Sequence, residues 1–183
     1  MPRTSREVKP LAHEGAASSA CELKPFALET TASLQGDPPL VVELCAGSAM
    51  LSSVLRRVGF EILPIDFKNN KHRPYVHVVS LDLTKASSWS FVRHVVEHRA
   101  VLHLHAAPPC GTAHRAREAR EPPLRSDEWP KGFPWLEEEA LARVENANSI
   151  YVQLASLCGF LEGHQVGFSV ENPANSLLWR LPE

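Results

Sequence analysis

The stretch HAAPPCGTAHRARE, His105 to Glu118, places a thiol, Cys110, directly after two prolines and shortly before His114, Arg115 and Arg117. Each proline fixes φ and removes a backbone donor, so the pair holds the thiol on a stiff segment. A thiolate is a strong nucleophile when nearby positive charge lowers its pKa. His114, Arg115 and Arg117 could supply that charge, or could contact phosphates. Taken alone, the stretch reads more simply as a packed cysteine beside a solvated basic loop. Further on, Glu171 ends the run VGFSVENP. A carboxylate leaving a buried strand is costly unless it is paired or used; otherwise it caps a turn made by Asn172 and Pro173.

Three other positions carry possible binding chemistry. ELCAGSA, residues 43–49, has the small residues that let a backbone approach a ligand near a helix N-terminus. A tight strand-to-helix turn explains it equally well, and Gly47 alone makes no G-x-G-x-x-G fingerprint. Asp66 and Asp82 stand where an acid could hydrogen-bond ribose hydroxyls, or could serve as turn and cap residues. Phe67 could stack on an adenine or pack on the sheet edge. Asn146 and Asn148 could reach the site from a long helix or lie on the surface.

The elements needed to position these residues follow from hydrophobic patterning. LVVELCAG, from Leu40, has the apolar, β-branched character of a strand buried on both faces. SAMLSSVLRRVG follows as a helix with Leu51, Val54, Leu55 and Val58 on one face and Gly59 closing it. FEILPID and YVHVVSLDL read as the second and third strands. SSWSFVRHVVEHR reads as a helix with Trp89, Val92 and Val96 inward, and VLHLHAA as a fourth strand. After a polar, proline-rich segment from Glu121 to Pro134, a helix is expected over about Leu136–Glu162. Its apolar face holds Leu141, Val144, Tyr151, Leu154, Cys158 and Leu161, and VGFSVENP follows as a fifth strand. Strands alternating with helices predict an α/β fold with a doubly wound, mainly parallel sheet. In such sheets ligands bind outside the strands' carboxyl ends, where strand order reverses. Gly47, Asp66, Asp82, Cys110 and Glu171 all fall at predicted carboxyl ends, and that coincidence is the strongest functional signal in the residues themselves.

Composition sets bounds on this reading. The 183 residues suffice for one domain with a sizeable core, and 44% hydrophobic with 22% charged residues is typical of a globular chain. The formal net charge of -2 gives no global attraction to nucleic acid, although local basic patches act under a neutral total. No run reaches membrane-spanning length and residues 1–20 lack a signal-peptide centre, so an intracellular location, nuclear or cytoplasmic, is expected. Cys21, Cys45, Cys110 and Cys158 are far apart without a C-x-x-C pair, which argues against a zinc site and a disulfide framework. Residues 1–38 show no sustained period. They read as a disordered leader, with a short helix near Glu22–Leu28, ahead of a domain over 39–183.

In order and rough spacing, ELCAGSAML, PPC and ENP resemble the cofactor loop, nucleophile motif and Glu-Asn-Val motif of the S-adenosylmethionine-dependent C5-cytosine methyltransferases. The likeness covers about residues 40–175. It implies a Rossmann-like methyltransferase sheet, S-adenosyl-L-methionine as cofactor, and nucleic acid, DNA before RNA, as partner. It further implies Cys110 as the nucleophile toward cytosine C6 and Glu171 as the acid at N3. Glu43, Cys45, Ala46, Gly47, Ser48, Ala49 and Pro108 would line the cofactor, with Asp66 at its ribose, Phe67 at its adenine and Asp82 at the adenine amino group. His114, Arg115 and Arg117 would meet nucleic acid. Cys45 stands where the family favours Phe, Ser48 and Ala49 replace small glycine-rich positions, and Gly111 replaces the usual Gln. Measured against the family, the chain stops before two further sheet strands and a target-recognition region, so the resemblance implies a partial catalytic domain. An inactive cofactor-binding module is the alternative of a different class. Methylation of an exocyclic amine fits less well, because an aromatic usually stands in place of Cys110 there.

Overall fold

The computed structural model describes residues 38–67, 73–114 and 121–181. They lie within one compact unit, Gly36–Glu183. The expected leader with its short helix, and Arg115 and Arg117, fall outside the described residues. Five strands, β1 (Leu40–Leu44), β2 (Glu61–Asp66), β3 (Val79–Ser80), β4 (Val101–Ala106) and β5 (Gly167–Val170), form one sheet in the order β3-β2-β1-β4-β5. Every pairing is parallel. Helices α1 (Met50–Arg57), α2 (Ala86–His98) and α3 (Glu138–Gly163) make the crossovers, and a short 3-10 helix, Leu177–Arg180, follows β5. The expected Rossmann-like, doubly wound α/β architecture is the one observed.

The main core lies on the α2–α3 face. Val42, Leu44, Ile65 and Leu104 point from three adjacent strands at Trp89, Val92, Leu157 and Leu161. Trp89 satisfies its indole N–H on the Leu83 carbonyl at 2.7 Å, so the largest core ring enters with no polar atom unpaired. α2 and α3 lie side by side: Arg93 Nη2 donates to Ser156 Oγ at 3.0 Å, and its guanidinium sits 4.6 Å from the Phe160 ring centre. A bulge between Leu40 and Val41 in the β1–β4 ladder keeps Val101 in the core and leaves Leu102 48% exposed. In α3, Val144, Ala147, Tyr151, Leu154, Leu157 and Leu161 are buried, whereas Leu141, expected inward, is exposed and Cys158 is half-buried. Among the described residues no helix is long and apolar enough to cross a membrane.

Two further expectations change. The third strand shrinks from YVHVVSLDL to two residues, paired as Ile65↔Val79 and Asp66↔Ser80. Pro64 explains the loss. The Ile65 carbonyl accepts from Ala46 on the β1 side, so in an alternating strand Pro64 faces the β3 side, where it has no N–H to give. The ladder can therefore begin only at Ile65. The apolar stripe of α1 is also not its buried face. Ser52 and Ser53 are buried, whereas Met50, Val54 and Val58 are 56%, 50% and 66% exposed. The cause is Glu43, buried in β1 on this side of the sheet: its Oε2 accepts the Ser52 N–H at 3.0 Å and the Ser52 hydroxyl. A buried carboxylate needs such partners, and it rotates the helix to obtain them.

Candidate functional site

β1 is the first strand laid down, and its neighbours β2 and β4 lie on opposite sides of it. In a sheet of this order the ligand crevice is the one outside the carboxyl ends of β1 and β4, where strand order reverses. One wall is the loop Cys45–Ala49. Cys45, Gly47 and Ala49 take left-handed φ values of 57°, 56° and 52°. Such backbone is expected of glycine, and for other residues it costs of order 1–3 kcal/mol each. The loop therefore keeps a glycine-type path although its sequence carries one glycine. Among the bonds that hold it are Ala46 N–H to the Ile65 carbonyl at 3.1 Å, Ala49 N–H to the Ala46 carbonyl at 2.7 Å, Gly47 N–H to Asp66 Oδ2 at 2.7 Å, and Tyr75 N–H to the Ser48 carbonyl at 2.9 Å. Ala46 and Ala49 are buried, Gly47 and Ser48 half-buried, and the space above the Gly47 Cα is open. Burial, helped by the Asp66 carboxylate, pushes the Cys45 thiol up to about 12, so it stays protonated.

The opposite wall is Pro108–Cys110. The Ala107 N–H reaches the Leu44 carbonyl at 3.1 Å, carrying the β1–β4 ladder beyond the strand. Pro108 is buried, Pro109 exposed and Cys110 half-buried. The Cys110 carbonyl accepts from the Ala113 and His114 N–H groups at 2.9 Å each, so the thiol opens a helical turn that places His114, half-buried, one turn on. Each preceding proline carbonyl is held by a different element. Asn172 Nδ2 donates to the Pro108 carbonyl at 2.9 Å, and the Tyr151 hydroxyl donates to the Pro109 carbonyl. ENP and PPC, distant in sequence, are thus joined directly at neighbouring strand ends. Glu171 itself is exposed, with its N–H on the Ala106 carbonyl at 2.8 Å. The expected cost of its burial does not arise, since its carboxylate leaves the strand into solvent.

Sequence reasoning missed the brace behind this loop. Arg125, from the segment expected to be merely polar, is 2% exposed. Its Nη1 donates to Asn148 Oδ1 and the Pro130 carbonyl at 2.6 and 2.8 Å, its Nη2 to Thr112 Oγ1 at 3.0 Å, and the guanidinium lies 5.6 Å from the Tyr151 ring centre. Burial raises the Tyr151 pKa, against the opposing pull of Arg125, so the phenol remains a donor to the cysteine loop. The D/P-rich surroundings of Arg125 hid it, because an arginine in a polar run is normally a surface residue. Asn148 does reach this brace, whereas Asn146 is exposed.

The remaining expected residues divide. Asp66 is buried at the crevice, its Oδ1 on the Phe67 N–H at 2.7 Å and its Oδ2 on Gly47. Both carboxylate oxygens therefore brace the backbone at the ends of β1 and β2. Phe67 is 53% exposed, so its ring is not spent on the sheet edge. Asp82 is exposed and its Oδ1 closes a turn on Thr84, at 3.0 Å to the N–H and 2.7 Å to the hydroxyl, which with Thr84 as the main cause lowers its pKa. The turn role is therefore realised. A pyrophosphate binds at a helix N-terminus through free N–H groups, but in α1 the Ser52 N–H is already taken by the Glu43 carboxylate. Asp66 places a second buried carboxyl group at the Cys45–Ala49 loop. No protein-family model, curated protein or solved structure matches this chain.

Proposed function

We propose that this chain is an S-adenosylmethionine-dependent methyltransferase acting at C5 of cytosine in DNA, through a covalent adduct on Cys110. The observation that carries the reading is the Asn172–Pro108 bond, which fastens the Glu171-Asn172 strand end to the Pro-Pro-Cys loop beside the crevice. The Cys45–Ala49 loop, with Asp66 and Phe67, would hold the cofactor, and Glu43 would act indirectly by setting α1. When bound, the cofactor supplies an electrophilic methyl group.

Cys110, as thiolate, adds to C6 of a cytosine taken out of its stack, forming the S–C6 bond. Glu171 donates a proton to N3, so the electron pair released by the addition gathers at C5, the atom to be methylated. Once C5 carries the methyl group, loss of its proton to water lets the C5–H electron pair form the C5–C6 double bond and expel the thiolate, and N3 returns its proton to the Glu171 carboxylate. Pro108 and Pro109 limit where Cys110 can move during these steps, and Tyr151 and Asn172 hold their carbonyls. His114 and the neighbouring Arg115 and Arg117 would contact the nucleic-acid backbone.

Covalent trapping tests this reading. A DNA duplex carrying 5-fluorocytosine cannot lose the C5 substituent as a proton, so the thioether persists on a denaturing gel. The parent protein with cofactor is expected to form that adduct, Cys110→Ser none, and Asn172→Ala several-fold less. Adduct formation that survives in Cys110→Ser would refute the assignment, as would its absence from the parent.

A further inference from the structure

The last turn of α2 reads His94-Val95-Val96-Glu97-His98, two imidazoles and a carboxylate at i, i+3 and i+4. We propose that these three side chains bind a divalent ion of the zinc class, with the remaining coordination positions open to water. All three residues are exposed, and one ligand atom from each lies within 4.8 Å of the others. Tetrahedral zinc with bonds of about 2.0–2.1 Å needs ligand atoms about 3.3 Å apart. Exposed side chains close that gap by χ rotation, with no change in the helix.

One imidazole is already oriented by its own helix. His98 Nδ1 lies 2.9 Å from the His94 carbonyl, and only a protonated nitrogen satisfies a carbonyl there. The Nε2 atom of His98 therefore presents its lone pair, the second-shell pattern usual for a metal-bound histidine. The two rings sit side by side, with centroids 3.9 Å apart and an angle of 31° between planes. A helix C-terminus also favours positive charge. Glu97 makes no ion pair among the described residues, and the adjacent cation Arg99 is bound to Glu61 at 2.7 Å. Two imidazoles and a carboxylate suit zinc, cobalt, nickel or copper rather than calcium or magnesium. No cysteine is involved, which is why cysteine spacing gave no hint of it. The H-x-x-E-H pattern also occurs in zinc peptidases, where the glutamate is a base. Full exposure of all three residues provides no enclosed place for a substrate, so binding, not hydrolysis, is assigned. α2 runs antiparallel to the strands and ends just before Val101 begins β4. The site therefore lies at the opposite end of the sheet from the crevice and does not depend on the methyltransferase reading.

The test is calorimetric titration of the whole chain with Zn2+ alone, with Co2+ absorption reporting coordination geometry. Trp89, Val92 and Val96 form the inward face of α2, so substitutions at 94, 97 and 98 leave the fold intact by circular dichroism. The expected result is one EDTA-reversible equivalent, weakened at least tenfold in His94→Ala and in His98→Ala and by a smaller factor in Glu97→Gln. Residues 1–37 contain a histidine and a cysteine, so the readout is the equivalent lost between parent and double variant. Equal binding by the parent and by His94→Ala/His98→Ala would overturn the proposal, as would no saturable binding by the parent in the micromolar range. Unchanged affinity in Glu97→Gln would overturn the three-ligand assignment.

Discussion

A thiol at the end of a parallel strand reacts or stays inert according to its surroundings, and the two cysteines at the crevice differ in this respect. Cys45 lies at the foot of the first loop, where desolvation, helped by the neighbouring Asp66, holds it as a neutral thiol. Cys110 stands half-buried on a loop beyond two prolines, open to an incoming reagent. Alkylation by iodoacetamide at about pH 8 should modify Cys110 first. Cys45 should react only after denaturation, and Cys158, raised chiefly by burial, slowly. Peptide mapping reads this order, and comparable labelling of Cys45 and Cys110 in the native protein would contradict it. At this scale the sequence pointed to Cys110 and Glu171 by motif, and to Asp66 by its place at a strand end. It could not show Tyr151 as more than one member of a helical apolar stripe. Nor could it show Arg125, whose role depends on carbonyls and side chains brought from residues 112, 130, 144 and 148. No local pattern encodes such partners.

Elements are placed here by a few polar contacts as much as by the core. α1 is set by Glu43, so Glu43→Ala should leave the Ser52 N–H and hydroxyl unpaired in a buried position. The expected cost is about 2 kcal/mol in denaturant unfolding, whereas Glu43→Gln, which keeps an acceptor, should lose much less. Equal losses in the two variants would mean that charge on the helix dipole, not the hydrogen bond, sets the helix. Hydrophobic patterning correctly identified α1 as a helix but not the face it buries, because the pattern carries no information about an acid on the opposing strand. The third strand failed for a similar reason: YVHVVSLDL has strand composition, but its length is limited by Pro64 in a neighbouring strand. β4 and β5 carry a further contact on the α1 side, where Ser169 Oγ lies 2.9 Å from both His103 Nε2 and His105 Nδ1. Burial, and then His105, lower the His103 pKa below its ordinary 6.5. The folded state thus binds its proton less readily than the unfolded chain does. Stability should be level above the ordinary value and fall as pH drops through it toward the folded one. The thermal midpoint of His103→Gln should fall less than that of the parent between about pH 7 and about pH 5. A steeper fall in the variant would show the sign to be wrong.

At the scale of the whole molecule, the order β3-β2-β1-β4-β5 brings residues from four separate parts of the chain to one crevice: Cys45–Ala49, Asp66–Phe67, Pro108–Cys110 and Glu171–Asn172. That convergence was readable in advance, since it needs only alternation of strands and helices and the rule that ligands sit at carboxyl ends. Asp82 was placed in the same group by the same rule, yet the structure commits its carboxylate to the turn before α2, where a two-residue edge strand gives it little support. Whether the crevice holds the proposed cofactor is read from thermal unfolding with and without S-adenosylhomocysteine. A ligand that binds only the folded state raises the midpoint by RT ln(1 + [L]/Kd). The expected result is an upward shift that grows with ligand concentration in the parent and in Cys110→Ser and is lost in Asp66→Ala. A cooperative transition that does not move in the parent, or a shift that persists undiminished in Asp66→Ala, would contradict the proposal.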